Sequence, residues 1–197
     1  MKEDWDTWYA KGAHWELSQH PSKTVDLISP ELNKDDKVLD LGCGSGRDCF
    51  FLAKKGVKVT GIDISKVAIE KAKEFAKKEN LDIQFDVGNI EELPYESNFF
   101  DKIISAYTIQ DTDIEKVSKE MHRVLKNNGK AYLLIILIKE FLETKERTTD
   151  FDKDYVLNFF SKYFDIIKEE VIEKIDEAGE DEPAHFHRNL ALVLKKK

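Results

Sequence analysis

Three glycines between a buried strand and a helix are the first residues of this sequence that could bind a ligand. Gly42, Gly44 and Gly46 follow the apolar run at 38–41 and lead directly into a helical pattern. Glycine has no Cβ, so it adopts unusual backbone angles and lets a ligand approach the chain closely. The helix that follows adds unpaired N–H groups and a partial positive charge. The loop therefore predicts a site for a carboxylate or a phosphate.

An acidic residue at the end of the next predicted strand indicates a ribose. Asp63 lies about 20 residues beyond the first glycine, which is the spacing of a ribose-binding acid in nucleotide folds. The alternative is that Asp63 caps the following helix, but Ser65 is already a suitable N-cap. A nicotinamide dinucleotide is disfavoured, because Arg47 or Cys49 stands where the third glycine of Gly-x-Gly-x-x-Gly is required.

Short apolar runs alternate with helical patterns and place these residues at strand ends. One helix is predicted to open at a capping box formed by Thr112 and Glu115 and to stop at Asn128-Gly129. The other predicted helices cover 46–55, 65–79 and 152–163, and the predicted strands cover 38–41, 57–62, 83–87, 102–106 and 131–138.

The order of these elements predicts an α/β fold. Repeated strand–helix units favour a Rossmann-like, doubly wound sheet. Residues 165–172 and 186–194 alternate polar with apolar, as half-exposed antiparallel strands do. We therefore expect a mixed sheet of about seven strands with a C-terminal antiparallel hairpin. The chain is expected to be a single domain over residues 1–197, with a cofactor-binding core at 37–197 and a helical lid segment at 1–30.

Five segments, in order, resemble the motifs of class I S-adenosylmethionine-dependent methyltransferases. Leu39-Asp-Leu-Gly-Cys-Gly-Ser-Gly is similar to the family's first motif, and Gly61-Ile-Asp-Ile-Ser to its second. Gly88-Asn-Ile-Glu-Glu-Leu-Pro-Tyr resembles the segment that holds the adenine. Phe100-Asp-Lys-Ile-Ile-Ser-Ala resembles strand four, and Arg123-Val-Leu-Lys-Asn-Asn-Gly-Lys the start of strand five. The resemblance covers most of the chain and implies S-adenosylmethionine as the cofactor.

The resemblance also implies a role for each matched position. The glycine loop would pass beneath the methionine half of the cofactor, Asp63 would hold the ribose, and Ile64 would lie against the adenine. Asn89 stands where the family usually has an aspartate, and its side-chain oxygen can still accept a hydrogen bond from the adenine amine. Cys43 is interpreted as a small filler and not as a nucleophile. The complete implied set is Tyr9, Asp40, Gly42, Cys43, Gly44, Gly46, Arg47, Asp63, Ile64, Asn89, Ile90, Ser105 and Ala106.

The methyl acceptor is predicted to be a small molecule. The formal net charge is −8, whereas a nucleic-acid surface needs a basic excess on one face. The segment that starts at Ser105 has no proline, unlike the Asn/Asp-Pro-Pro-aromatic motif of amino-methylating nucleic-acid enzymes. Arsenite methyltransferases use a set of cysteines, which Cys43 and Cys49 cannot supply. Three candidate classes of acceptor remain: a thiol, a chalcogen oxyanion and a small carboxylate.

A narrower resemblance, to the tellurite-resistance and thiopurine-type branch, draws attention to the C-terminal segment. Pro183-Ala-His-Phe-His-Arg leads into a final strand, as in the tellurite-resistance group. The resemblance implies that His185, His187 and Arg188 lie at the acceptor pocket, where they would bind an anionic acceptor or take its proton. One alternative is that they decorate an exposed edge strand. A metal site is the other, but the sequence shows no third ligand beside the two histidines, so we expect none.

Aromatic residues near the N-terminus are predicted to cover the site. Sites of this fold open at the carboxyl ends of the strands, so we interpret the cluster as a lid in which Tyr9 touches the cofactor. The alternative is that the cluster only buries a helix against the sheet. Its members are Trp5, Trp8, Tyr9 and Trp15.

Two classes of function stay open. The first is a methyltransferase that acts on a small acceptor, as a monomer or a homodimer. The second is a protein that binds the cofactor without catalysis, as a sensor or a partner subunit. Membrane insertion is not expected, because the apolar run at 131–138 is far shorter than the roughly 20 residues of a membrane span. The N-terminus lacks the apolar region of a signal peptide, so a cytoplasmic location is expected.

Overall fold

One mixed sheet and six helices make up the computed structural model, which describes residues 4–11, 20–177 and 183–197. Two short 3-10 turns, Ser29–Glu31 and Ile109–Asp111, complete it. The helices are α1 (Trp5–Ala10), α2 (Lys23–Ile28), α3 (Arg47–Ala53), α4 (Lys66–Lys78), α5 (Ile114–Val124) and α6 (Lys153–Ser161). The strands are β1 (Lys37–Leu41), β2 (Lys58–Asp63), β3 (Ile83–Val87), β4 (Phe100–Ala106), β5 (Leu125–Phe141), β6 (Arg147–Asp150), β7 (Phe164–Asp176) and β8 (His185–Lys196).

The strands run in the order β3-β2-β1-β4-β5-β8-β7. Strands β1 to β5 are mutually parallel, β8 is antiparallel to β5, and β7 is antiparallel to β8. This arrangement confirms the predicted Rossmann-like mixed sheet with its C-terminal antiparallel hairpin. Strand β6 was not predicted; it pairs with the end of β5 beside the seven-stranded path.

Helices cover both faces of the sheet, as doubly wound folds require. On one face, α5 and α6 bury residues such as Met121 and Phe160 against Leu39 and Leu133. On the other face, α2, α3 and α4 pack against Val38 and Ile104. The parallel strands are therefore buried on both sides, which explains their nearly continuous apolar sequences.

Two predicted details of α5 are wrong. The N-cap is Asp113 and not Thr112, because the Asp113 carboxylate accepts from the backbone N–H groups of Glu115 and Lys116. The helix ends at Val124, and Asn128, with a φ of 64°, belongs to a bulge at 126–129 inside β5. In contrast, Ser65 caps α4 as predicted, since its hydroxyl accepts from the N–H of Ala68 at 3.1 Å.

Strand β8 is more buried than its alternating sequence predicts. It lies between β5 and β7 and is covered on both faces along most of its length, while β7 forms the exposed edge. The burial of β8 on both faces follows from its position in the strand order. The alternation of polar and apolar residues along a strand does not predict that position. Among the described residues, no helix is both long and apolar enough to span a membrane.

Candidate active site

The glycine loop lies across the carboxyl ends of β1 and β2. The N–H groups of Gly42 and Cys43 both donate to the carbonyl of Ile62, at 2.8 and 3.1 Å. Gly42, Gly44 and Gly46 all have positive φ angles, and Gly46 is the N-cap of α3. A Cβ on Gly44 would lie 2.3 Å from the Tyr9 hydroxyl. Glycine is therefore required there for both conformation and space.

Asp63 holds this loop in place. It is 8% exposed, and its two carboxylate oxygens accept from the backbone N–H groups of Gly44, at 2.8 Å, and Ser65, at 2.9 Å. Burial raises its pKa, and the bonds from Ser65 and Gly44 oppose that rise. A carboxylate offers about four lone-pair directions, so capacity for two ribose hydroxyls remains. The carboxylate does not cap α4, because Ser65 does.

The residues predicted to hold the adenine lie along the neighbouring strand ends. Ile64 is 60% exposed directly after Asp63, whereas Ile90 is buried. The Asn89 side-chain oxygen accepts from the N–H of Glu91 at 2.9 Å and keeps a second lone pair for the adenine amine. An exposed apolar side chain beside a hydrogen-bond acceptor fits a purine ring.

The end of β4 closes the other side of the loop. Ser105 donates its hydroxyl to the carbonyl of Leu41 at 2.9 Å, which fastens β4 to β1. The Thr108 hydroxyl lies 3.3 Å from the carbonyls of both Gly42 and Ala106. Backbone groups of this turn therefore face the glycine loop, which the family resemblance places beneath the methionine half of the cofactor.

Asp40 and the two cysteines form a buried cluster beneath the loop. Burial raises the pKa of Asp40 to about 8, and the nearby charge of Asp48 adds to the rise. The Cys49 thiol donates to Asp40 at 3.2 Å. Burial also raises the pKa of Cys43 to about 11. Both thiols therefore stay protonated at neutral pH, which agrees with a packing role for Cys43.

Asp48 is a site residue that the sequence did not reveal. Its carboxylate accepts from the N–H of Ser22 at 2.9 Å and also from the Ser22 hydroxyl. Arg47 donates its Nε–H to the same carboxylate at 3.2 Å. These bonds fasten the residues before α2 to the first turn of α3. The partners lie 26 positions apart in the chain, so no local pattern signals the contact.

Helix α1 covers the glycine loop. Asp6 accepts from the Ser65 hydroxyl at 2.6 Å and from the N–H of Val67 at 3.1 Å, so α1 is docked on the first turn of α4. Tyr9 is buried, and its ring lies 5.1 Å from that of Trp8. The structure thus brings Tyr9 to Gly44, as the lid interpretation requires. Trp15 lies outside the described residues.

The C-terminal histidines lie on one face of β8. Their ring centroids are 4.5 Å apart, and His185 is buried. Because β8 is an internal strand, they do not decorate a sheet edge. His185 pairs with Phe141 and His187 with Lys139, so both histidines lie where β5 continues beyond Leu134, the partner of the last residue of β4. Asp176, opposite His185 on β7, lies 3.8 Å from a ring nitrogen of each.

Arg188 is not brought to the histidine pair. Successive residues of a strand point to opposite faces, and Arg188 pairs with Glu173 at 2.8 Å on the side covered by α6. There it lines a surface cavity of about 610 Å³ together with Leu137 and Phe151. The three residues predicted for the acceptor pocket therefore separate into two histidines on one face and an arginine on the other.

Tyr107 lies in the turn that follows β4, where its N–H donates to the carbonyl of Leu134 on β5. It follows β4 with a φ of 60°, an uncommon conformation for a residue other than glycine. Burial raises the pKa of its hydroxyl, Arg47 lowers it, and Asp176 raises it further. Charges from α3 and from β7 therefore both act on the Tyr107 hydroxyl.

Comparison with known proteins places the chain in a family. The sequence profile of the methyltransferase domain matches residues 32–180. Ajmaline N-methyltransferase of Rauvolfia serpentina is 30% identical over 164 residues, which are 76% of this chain and 56% of that protein. The ubiquinone/menaquinone biosynthesis C-methyltransferase of Rickettsia bellii is 36% identical over 148 residues, 70% of this chain and 57% of the relative. The chain belongs to the methyltransferase domain family.

The fold agrees with this assignment. A SAM-dependent methyltransferase from Methanosarcina mazei, 24% identical, superposes with a TM-score of 0.71 over 91% of this chain and 99% of that one. The predicted methyltransferase family and the predicted Rossmann-like fold are thereby confirmed. The chain spans about half the length of the curated relatives it matches. The narrower tellurite-resistance and thiopurine-type branch stays a prediction.

Proposed function

We propose that this protein transfers a methyl group from S-adenosylmethionine to a small-molecule acceptor. The observation that carries the proposal is the arrangement of Asp63 and Gly44. A buried carboxylate fixes the glycine loop and keeps lone pairs for a ribose. The proposed cofactor-binding residues are those implied by the sequence motifs: Tyr9, Asp40, Gly42, Cys43, Gly44, Gly46, Arg47, Asp63, Ile64, Asn89, Ile90, Ser105 and Ala106.

These residues would bind and orient the cofactor, which supplies an electrophilic methyl group on a sulfonium. The protein's largest contribution would be alignment of donor and acceptor. The first turn of α3 presents unpaired N–H groups next to Gly46, which suits the methionine carboxylate. Tyr9 and α1 would exclude water from the loop side. Asp40, whose pKa burial raises to about 8, would support the loop from below.

The acceptor is proposed to bind beside His185 and His187, at the carboxyl edge of the sheet. Arg188 is proposed to contribute from the opposite face only through its ion pair with Glu173, which fixes the position of β8. The resemblance to the tellurite-resistance and thiopurine-type branch makes thiols and chalcogen oxyanions the first acceptors to test. Small carboxylates complete the panel.

Calorimetric titration with S-adenosylhomocysteine tests the cofactor site. We expect the wild type to bind it and not NAD, and we expect Asp63→Ala to weaken binding by at least about tenfold, since hydrogen bonds to a charged group are lost. Asp165→Ala, a matched change at an exposed carboxylate on β7, should leave affinity unchanged. Folded wild-type protein that does not bind S-adenosylhomocysteine would contradict the proposal.

Turnover separates catalysis from cofactor binding alone. With S-adenosylmethionine and a panel of thiols, tellurite and small carboxylates, a methyltransferase should release S-adenosylhomocysteine in an acceptor-dependent manner. Tight binding without acceptor-dependent release across that panel would favour a sensor or partner subunit.

A further inference from the structure

Three side chains from two strands converge at the acceptor side of the candidate site. Asp176 ends β7 and lies directly opposite His185, the first residue of β8, while His187 follows on the same face. One Asp176 oxygen is 3.8 Å from His185 Nε2 and 3.8 Å from His187 Nδ1. The three ligand atoms lie within 4.8 Å of one another. Asp176 is the third ligand that the sequence did not show.

The tautomer of His185 prepares it to coordinate a cation. Its Nδ1 lies 2.8 Å from the carbonyl of Pro183. A carbonyl only accepts, so Nδ1 carries the hydrogen and, in the neutral ring, Nε2 presents a lone pair. That lone pair faces a carboxylate oxygen at a distance too long for a hydrogen bond. Metal-binding histidines commonly have their second nitrogen fixed in this way.

The spacing also fits a small divalent ion. Zinc binds histidine nitrogen and carboxylate oxygen at about 2.0–2.2 Å in tetrahedral geometry, which sets ligand atoms roughly 3.3–3.6 Å apart. The two separations of 3.8 Å between Asp176 and the histidines exceed that range by a few tenths of an ångström, and the three ligand atoms all lie within 4.8 Å of one another. Side-chain rotation without backbone movement would close such a difference.

The groups around the cluster set its charge. Lys174, on the same face, forms an ion pair with the other Asp176 oxygen. Lys139 is opposite His187 on β5, and its ammonium lies 5.5 Å from the centre of the Phe141 ring. Lys174 therefore partly compensates the charge of the Asp176 carboxylate through one oxygen, while the other oxygen faces the two histidines. Three protein ligands with one carboxylate are typical of zinc sites that keep a fourth position open.

We propose that Asp176, His185 and His187 bind one zinc-type divalent ion, and that its open position holds the methyl acceptor. The second half of this proposal rests on the proposed methyltransferase function. The acceptor class is then a thiol or an oxyanion that binds a metal through a lone pair. A thiol would release its proton to solvent on binding the ion. Its sulfur would then form a bond to the methyl carbon, while the carbon–sulfonium bond breaks and leaves its electron pair on the departing sulfur.

Metal binding by the full-length protein is the direct test. Apoprotein prepared with a chelator is dialysed against Zn²⁺, and Co²⁺ is added separately for its visible absorption in tetrahedral sites. We expect one ion per chain, and at least about tenfold weaker binding in Asp176→Asn and in His187→Ala. His122→Ala is the matched control, because His122 lies on α5 and packs against Tyr163 in the turn between α6 and β7. Its affinity should equal that of the wild type.

Lys174→Gln should change the affinity for the ion in the opposite direction. Removal of the ammonium leaves the Asp176 charge uncompensated, so the variant should bind the ion more tightly than the wild type. Binding of less than one ion per chain by the wild type, or equal affinity in wild type and His187→Ala, would overturn the metal site. Circular dichroism and S-adenosylhomocysteine titration of each variant separate these outcomes from misfolding and from failure of the cofactor proposal.

Discussion

At the scale of single residues, the protonation of Asp40 makes the stability of the fold depend on pH. Its folded pKa of about 8 lies above the ordinary value of 3.8, because burial disfavours the charged form. Between about pH 4 and pH 8 the folded state holds a proton that the unfolded chain releases. The stability that this residue contributes is therefore complete below about pH 4 and is lost as the pH rises toward 8.

Asp40→Asn should remove this pH dependence. The amide oxygen can still accept the hydrogen bond from Cys49, while the side chain no longer ionises. We expect the free energy of unfolding of the variant to fall less steeply between pH 5 and pH 8, by up to about 1.4 kcal/mol per pH unit. Urea unfolding at pH 5 and at pH 8 measures this change in the free energy of unfolding. Asp165→Asn, at an exposed carboxylate, is the control. Equal slopes in wild type and Asp40→Asn would show that Asp40 is ionised in the fold.

At the scale of elements, α1 is a short helix held by few contacts. It has six residues; Asp6 supplies two bonds to the start of α4, and Lys71 of α4 donates to the carbonyl of Tyr9. An isolated helix of this length is not stable in water, so its position depends on such contacts. Because Tyr9 lies over Gly44, the docking of α1 would affect the shape of the proposed cofactor site.

Asp6→Ala should therefore weaken cofactor binding without unfolding the sheet. We expect roughly threefold to tenfold lower affinity for S-adenosylhomocysteine and faster hydrogen exchange at residues 5–10. Asp6→Asn is the matched control, because one oxygen accepts both bonds and an amide oxygen can replace it. If Asp6→Ala bound S-adenosylhomocysteine as tightly as the wild type, α1 would have no part in the site.

Local contacts explain which elements could be predicted from the sequence. The turn from β1 to α3 and the cap of α4 depend on residues only a few positions apart, so Gly42, Gly44 and Ser65 indicated them directly. The predicted start of α5 was wrong because Thr112 and Asp113 are both suitable N-cap residues. In the structure, the backbone N–H groups of the first turn donate to Asp113. Sequence alone does not rank two adjacent candidates.

The contacts that complete the candidate site could not be predicted in this way. Asp48 meets Ser22 across 26 positions, and Asp176 meets His185 only because β7 and β8 are paired in one register. Arg188 was grouped with the histidines because of the resemblance to the tellurite-resistance group, although strand alternation directs it to the other face. Register and strand order are properties of the whole sheet.

At the scale of the whole molecule, we expect the N-terminal segment to be less stable than the sheet and the helices packed on it. Both hydrophobic clusters pack on the same strands, so the core should unfold as a unit. The N-terminal segment adds α1, which touches the core mainly through α4. All three tryptophans, at positions 5, 8 and 15, belong to that segment. Tryptophan fluorescence therefore reports on the lid segment, while far-ultraviolet circular dichroism reports on the core.

Without ligand, we expect the fluorescence transition in urea to precede the circular dichroism transition, because elements with few buried contacts open first. S-adenosylhomocysteine at a hundred times its Kd should bring the two transitions together and stabilise the core by about 2.7 kcal/mol. Asp63→Ala at the same ligand concentration should keep the transitions apart. Coincident transitions in the ligand-free wild type would instead mean that the lid segment is already an integral part of the core, and that cofactor binding does not order it.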